Sequence, residues 1–529
     1  MGPADAAPSA EHLAKQIEEY LAEHPSAALM EDGRVVFDMT TAHYSVGESH
    51  GRCLLQLWSE ERNLMRTVVE VQPRAQSLRL MTRRMGAARP QALELVPSGD
   101  HRTPTARTAA RRNYLRLLER VLARHFPGSK VDGMRSAMDL EHSFGPAYTR
   151  GRLLRGTAAE AVIGVGESES TAMVEGVVTL GLLWLEYCRE REARRHVGGL
   201  KVVVPAGRWR TVAERMAWLN HGAANFELYT LDERREELER VELGDLGNGE
   251  SRLVHAFQPE TALERCGAGV ERLLGLIPPG ARERIEVRAR SAAEVGLLLH
   301  GLEIARVRHV AAAHSFAGQD EVSFGAGANE TPLTAENEGL CRALLERLFR
   351  SRQPDGLGTD ALYRMQPERW LEARLRQRLG ELMPGVREDR VYSQVPALGT
   401  GERGMLDLLT VDQRGRLMVI ELKAEEDLQL PMQALDYWMR VRALLVDSAE
   451  KDGRMACAFA RMGYFAGVEL SALPPRLVLA APALRVHPAT ETVLKYLSPQ
   501  VEWELIGFGE QWRKELKVVF RKRGSDPQK

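Results

Sequence analysis

The sequence predicts a multidomain α/β protein whose last third forms one αβββαβ unit around a mixed central sheet. Three observations lead there. The chain has 529 residues, which at roughly 150 residues per domain makes about three or four domains. Strand-like and helix-like apolar patterns alternate along most of it, as in α/β architecture. That alternation is strongest between Tyr363 and Phe520, where two apolar runs joined by a tight polar connection precede a long amphipathic stretch. The expected divisions are an N-terminal β-rich domain with a basic linker over 1–108, a degenerate α/β copy over 109–235, a middle α/β region over 236–350 and the principal α/β domain over 351–524.

Composition narrows the class. With 44% hydrophobic and 27% charged residues the chain reads as globular, which excludes collagen-like, disordered and disulfide-scaffold classes. Lys+Arg 72 against Asp+Glu 73 leaves a net charge of −1, so any basic surface has to be local. Ten of the 72 cations are lysines and 62 (72 − 10) are arginines. Cys53, Cys188, Cys266, Cys341 and Cys457 are scattered, which argues against a cysteine zinc site and for a reducing, cytoplasmic setting. The start has no basic flank followed by an apolar core, and the apolar stretch Ala172–Cys188 is short and broken by Glu175 and Glu186. No membrane partner is expected.

In chain order, Glu11–Glu23 reads as a helix. Strand-like runs follow at Arg34–Met39, Cys53–Trp58, Leu64–Val71, Leu78–Met81 and Leu93–Val96. Arg74–Arg124 holds twelve arginines and three acids, a local footprint for phosphate in which Arg83, Arg84, Arg89, Arg111 and Arg112 are the candidate contacts. Pro97–Thr108 within it reads as a linker. Phe226–Glu260 carries ten acids against four arginines, and Arg513–Arg523 six cations and one acid; the acidic stretch reads as a solvated face. In the middle region Phe324–Asn329 is a plain turn, Thr334 caps a helix over 335–350, and His300, His309 and His314 lack ligand spacing.

The chemistry lies further on. A helix over Pro367–Leu382 stops before Pro384-Gly385, and a strand follows at Val391–Val395. The strands Met405–Val411 and Leu417–Lys423 are joined through Gln413-Arg414-Gly415, a three-residue hairpin loop with glycine in the left-handed position. Such a loop pairs Asp412 with Arg416, and counting back puts Asp407 opposite Glu421, with Cβ atoms roughly 5 Å apart. Lys423 shares the face of Glu421 while Leu422 points away. Two carboxylates opposed in apolar strands repel and are costly to desolvate. A hard divalent cation offsets that cost, since Mg²⁺ binds through one or two carboxylates plus substrate phosphate; a protonated carboxyl or a Glu–Lys pair at a sheet edge is the alternative. On the next helix, Pro431–Leu445, Gln433, Tyr437 and Arg440 share a polar face opposite Ala434, Trp438, Val441 and Leu445. A strand at Arg476–Ala481, a helix at Thr490–Leu497 and a strand from Val501 to Gly507 complete the unit.

Asp407, the triplet Glu421-Leu422-Lys423 and the helix carrying Gln433 and Tyr437 resemble the core of the PD-(D/E)XK, restriction-endonuclease-like nuclease superfamily, and within it the RecB-like and NucS-like DNA nucleases. The resemblance covers about the last 160 residues. It implies that Asp407 and Glu421 hold Mg²⁺ or Mn²⁺, that Lys423 positions or activates the attacking water, and that Gln433 and Tyr437 orient the site or the phosphate. It also implies a metal-binding glutamate on the first helix, where Glu372 stands, with Glu368 as the alternative. Leu406 precedes Asp407 where many members have proline. The implied activity is phosphodiester hydrolysis, with DNA favoured over RNA and a dimer among the assemblies; Arg440 is a further nucleic-acid contact. Beside a cation the Lys423 ammonium is expected to lose its proton more readily. The rival readings are a nucleic-acid-binding or assembly protein without catalysis and an RNA-cleaving enzyme with the same site.

An earlier stretch repeats the pattern. A helix over Asn113–Phe126 ends at Pro127-Gly128, Ala161-Val162-Ile163 parallels Met418-Val419-Ile420, and Leu185-Glu186-Tyr187 parallels Leu435-Asp436-Tyr437. Lys201–Val204 before Pro205 parallels Leu477–Ala481 before Pro482, and Phe226–Leu231 parallels the strand from Val501. On this alignment Leu154, Gly164 and Gly166 fall at the places of Asp407, Glu421 and Lys423. The expectation is a catalytically dead nuclease-like copy that holds nucleic acid or pairs internally with the active one. Two unrelated α/β units are the alternative, and a different strand order separates the two.

Overall fold

The computed structural model describes residues 9–31, 34–39, 42–49, 51–58, 63–74, 77–83, 90–97, 104–139, 141–244, 246, 252–254, 256, 258–311, 318–327, 330–399, 402–446, 448–451 and 454–524. The chain forms two compact units, Met1–Asn113 and Tyr114–Lys529.

In the first unit the helix Ala10–Glu23 starts where the Ser9 side chain accepts from the His12 N–H, and buries Leu13, Ala14, Ile17 and Leu21. It belongs to one core with alternate residues of a seven-stranded sheet, such as Cys53, Leu55 and Leu57. All pairings are antiparallel, in the order Arg34–Asp38, Ala28–Glu31, Gln91–Val96, Leu78–Arg83, Asn63–Pro73, Arg52–Trp58, His43–Ser49. Two of these strands escape the sequence reading. Ala28–Glu31 is only four residues long, and His43–Ser49 is a polar, glycine-containing edge strand. The expected linker needs correction: a helix runs from Pro104 to His125, because proline is tolerated in a helix's first turn. Arg84 and Arg89 lie outside the described residues.

The second unit holds two sheets of the same design. In the first copy the strands Lys130–Arg135, Tyr148–Arg155, Ala158–Val165, His196–Pro205, Asn225–Asp232 and Glu237–Val241 lie side by side in that order. Their successive pairings are antiparallel, antiparallel, parallel, parallel, antiparallel. In the second copy Tyr392–Gly399, Glu402–Val411, Leu417–Leu422, Arg476–Pro482, Trp503–Phe508 and Val518–Arg523 repeat both the order and the polarities. Arg252–Leu253 extends that sheet at its outer edge. Matching helices, Val177–Arg191 and Leu430–Val446, join the third and fourth strands. Shorter ones, Arg210–Ala217 and Thr490–Lys495, join the fourth and fifth. The repeated architecture is therefore real at the level of topology.

The two copies are not separate domains, which corrects the expected division. One continuous core contains Val178, Leu182 and Leu185 of the first copy with Leu435, Trp438 and Val441 of the second. The join is reciprocal: Asn220 N–H donates to Tyr496 O and Ser498 N–H to Trp218 O, both at 2.8 Å. An antiparallel bridge between Leu219 and Leu497 lies between them.

Register also corrects which residues correspond. Pro205 and Pro482 end the matching fourth strands. Counting back, Val203 matches Ala480; Val203 pairs with Gly164, and Ala480 with Leu422. Ile163 therefore stands at the place of Glu421 and Val165 at that of Lys423. Arg150, the partner of Ile163, takes the place of Asp407. The faces agree, since Ile163 and Val165 lie in the shared core with Val419. A Cβ on Gly164 would meet the Tyr114 hydroxyl at 2.6 Å. Sliding a strand by one residue exchanges its faces, so Leu154, which pairs with Ala159, Gly164 and Gly166 are not the counterparts.

The middle region is a third body with its own core, from Ala262 to Phe349. Its five strands, Ile285–Ser291, Glu294–Leu299, Leu302–Ala311, Gly318–Phe324 and Thr331–Pro332, form an antiparallel meander. That makes it α+β instead of the expected α/β. The following helix begins at Glu338 with Asn337 at its cap, not Thr334. His309 faces Asp320 at 2.8 Å, and His314 lies outside the described residues. Among the described residues no helix is long and apolar enough to cross a membrane.

Candidate active site

The hairpin forms in the anticipated register. Leu408 pairs with Ile420 and Val411 with Leu417; the Asp412 N–H donates to Arg416 O at 3.0 Å. Gly415 closes the turn at φ +78°, and a Cβ there would lie 2.0 Å from Glu469 O, so only glycine fits. Beyond Leu408 the ladder gives way to side chains. Asp407 Oδ2 accepts from the Leu422 N–H at 2.9 Å, and Asp407 shares a side-chain hydrogen bond with Glu421. On the other side, Gln394 interrupts pairing with φ +53°. Its Nε2 donates to Asp407 Oδ1 at 3.2 Å and to Glu372 Oε2 at 2.8 Å.

The electrostatics are those of crowded carboxylates in a dry place. Glu421 is 5% exposed, and its Oε2 is buried without a hydrogen-bond partner. Burial, then the charges of Asp407 and Glu368, push its pKa well above the ordinary carboxylate value. Burial is also the main cause that lifts Asp407 to about 6, with Glu372 and Glu368 adding to it against the Leu422 N–H. Lys423 Nζ lies 3.7 Å from Glu368 and 3.5 Å from Asp427. Burial works against its charge, but Glu368, Glu421, Asp427 and Asp407 together raise its pKa. The expected depression is therefore not produced by the protein's own groups; it needs the added charge of a cation. Burial first, then the charges of Glu421 and Asp407, push the Tyr437 hydroxyl above its ordinary pKa, against a hydrogen bond with the Met405 backbone.

Other predicted residues fall differently. Glu372 is linked to Asp407 through Gln394, whose side chain bonds to both. Arg288 at 3.3 Å and Arg369 at 3.1 Å hold Glu372, and among the described residues no three acidic, histidine or cysteine side chains converge as a metal-ligating group. Glu368, the alternative on the same helix, faces Lys423. Gln433 is half-buried one turn before Tyr437, and Arg440 lies 5.7 Å from the Tyr437 ring. Arg83 is exposed at a strand end and Arg112 on a helix; with Arg111 they belong to the first unit. Two contributors were missed. Gln394 lies in a strand-like run with nothing in its neighbours to mark it, and Arg288 arrives from the middle body. Arg288, Arg290, Arg306 and Arg369 line a cleft of about 200 Å³ that also takes in Glu372 and Gln394.

Asp407 and Glu421 fit a hard divalent cation on their chemistry: two oxygen donors, mutual repulsion and one carboxylate oxygen left unpartnered in the interior. No family model matches the chain, and no curated protein matches it.

Proposed function

We propose that the second copy is a metal-dependent nuclease of the PD-(D/E)XK, restriction-endonuclease-like kind, hydrolysing phosphodiester bonds, of DNA before RNA. The observation that carries this reading is the unpartnered Glu421 Oε2 beside Asp407, one residue pair beyond a ladder whose register aims both carboxylates at one point. Asp407 and Glu421 would hold Mg²⁺ or Mn²⁺, which when bound neutralises charge on the phosphoryl oxygens and acidifies water. The chain's own groups supply the rest. Lys423, on the Glu421 face, orients water and moves its proton. Tyr437 presents a hydroxyl to the same point. Gln394 ties Asp407 to Glu372, and the ion pairs from Arg288 and Arg369 hold Glu372 still.

The test is cleavage of single-stranded DNA, duplex DNA, branched DNA and RNA with Mg²⁺ or Mn²⁺. Glu421→Ala and Lys423→Ala are expected to lower cleavage at least about a hundredfold, with folding intact by circular dichroism. Undiminished activity in both variants would sink the assignment. Binding without cleavage of any substrate would move the protein to the rival class of non-catalytic nucleic-acid-binding proteins.

A further inference from the structure

At the rung where the second copy crowds two carboxylates, the first copy has the opposite charge. Arg150 takes the place of Asp407, and its partner across the neighbouring ladder is Arg135. Like charges directly opposite on a ladder are destabilising. Arg150 is 1% exposed, stacked on Phe144 at 4.4 Å and bonded to the Ala137 carbonyl at 3.0 Å. The nearest carboxylate, Asp139, is 4.0 Å from it and also engages His142. Arg135 is half-buried, with its guanidinium over Trp184 at 5.1 Å and Tyr187 at 5.7 Å. Among the described residues it takes no hydrogen bond or ion pair, and the buried Nε atoms of both arginines have no partner. Elsewhere in this unit Arg152, Arg215, Arg288 and Arg306 are each paired with carboxylates. Tyr187, aligned with Tyr437, also carries the exposed Arg191 at 5.1 Å.

Two crowded carboxylates call for a cation, and two crowded guanidiniums call for an anion. Resting on the nuclease reading of the second copy, we propose that this face of the first copy binds a backbone phosphate of the nucleic-acid substrate. Arg135 makes the contact, buried Arg150 supplies a fixed positive field behind it, and Arg191, over the Tyr187 ring, flanks it. The repeat has thus exchanged a cutting site for a holding site.

The experiment measures binding of a fluorescein-labelled DNA duplex to the full chain carrying Glu421→Gln, with and without Arg135→Gln. The expected result is about tenfold weaker binding and a salt slope smaller by about one, with partial recovery in Arg135→Lys. The melting temperature should hold or rise, because a like charge opposite Arg150 is gone. In the otherwise native chain Arg135→Gln should raise KM and leave kcat unchanged. Unchanged binding overturns the proposal, and so does weaker binding accompanied by a lower melting temperature, which marks a packing role. If the Glu421→Gln chain binds no nucleic acid at all, the nuclease reading falls with it. If the native chain cuts DNA and Arg135→Gln binds as tightly as its parent, only the holding site falls.

Discussion

Glu421 shows how the site is held together against its own charge. Its strand is buried on both sides, so the carboxylate cannot turn to water, and Oε2 has no partner. Leaving a buried polar atom unsatisfied costs about 1–3 kcal/mol. Glu421→Gln should recover part of this, because an amide donates to Asp407 at any pH while the Glu421 carboxyl does so only when protonated. In EDTA at pH 8 the variant should be more stable than the native chain by about 1–2 kcal/mol, read from denaturant unfolding. Added Mg²⁺ should raise the melting temperature of the native protein and not of the variant. A less stable variant in EDTA would mean that Glu421 has a partner the geometry does not reveal. Asp407, Glu421 and Lys423 were legible in the sequence because a glycine-closed loop sets the register for every residue behind it. Gln394 was not, since its role comes from a left-handed backbone conformation, and Arg288 was not, since it belongs to another body.

One hairpin turn joins the middle body to the second copy. His300 and Gly301 both have positive φ, +48° and +75°, with Leu299 paired to Leu302, the two-residue loop that usually takes Asn-Gly. The tip presses on the helix Pro367–Gln377: the His300 ring stacks on Trp370 at 4.8 Å, and a Cβ on Gly301 would lie 2.0 Å from Arg369 O. Arg352 fastens the turn by donating to His300 O at 3.1 Å. Burial first, then the nearby Arg284, Arg352 and Arg374, lower His300 from 6.5 to about 4. A depressed histidine is favoured neutral in the folded state. Its contribution is complete above pH 6.5 and is lost as pH falls from 6.5 to about 4, amounting to about 3 kcal/mol. His300→Asn keeps the turn and removes the titration, so its stability should fall less across that window. Parallel pH profiles for the two proteins would refute the docking role of the neutral ring. The sequence showed no such role for His300, because the partners that desolvate it lie in three separate segments.

Beside its middle body the second unit is an internal pair of like sheets, of which one carries the opposed carboxylates. Its topology was legible in outline because strand and helix patterns recur at similar spacing, yet the correspondence slipped by one residue. Alternation makes neighbouring registers look alike in sequence while placing opposite faces at the core, so only the ladders reveal Arg150, Ile163 and Val165 as the counterparts of Asp407, Glu421 and Lys423. The shared core was equally hidden: neither the apolar stretch of Val177–Arg191 nor the amphipathic pattern of Leu430–Val446 tells in sequence that both helices feed one core. This pairing bears on the product. An enzyme that breaks both strands in one encounter needs two sets of carboxylates facing the two backbones, and here one set has become apolar and arginine residues. Each encounter should therefore cut one strand. On supercoiled plasmid the nuclease reading predicts that the open circular form accumulates first and that linear DNA follows only as nicks meet by chance, at a protein concentration too low for chains to associate. Linear DNA appearing without a nicked precursor under those conditions would show that one chain carries a second cutting site, contrary to the register.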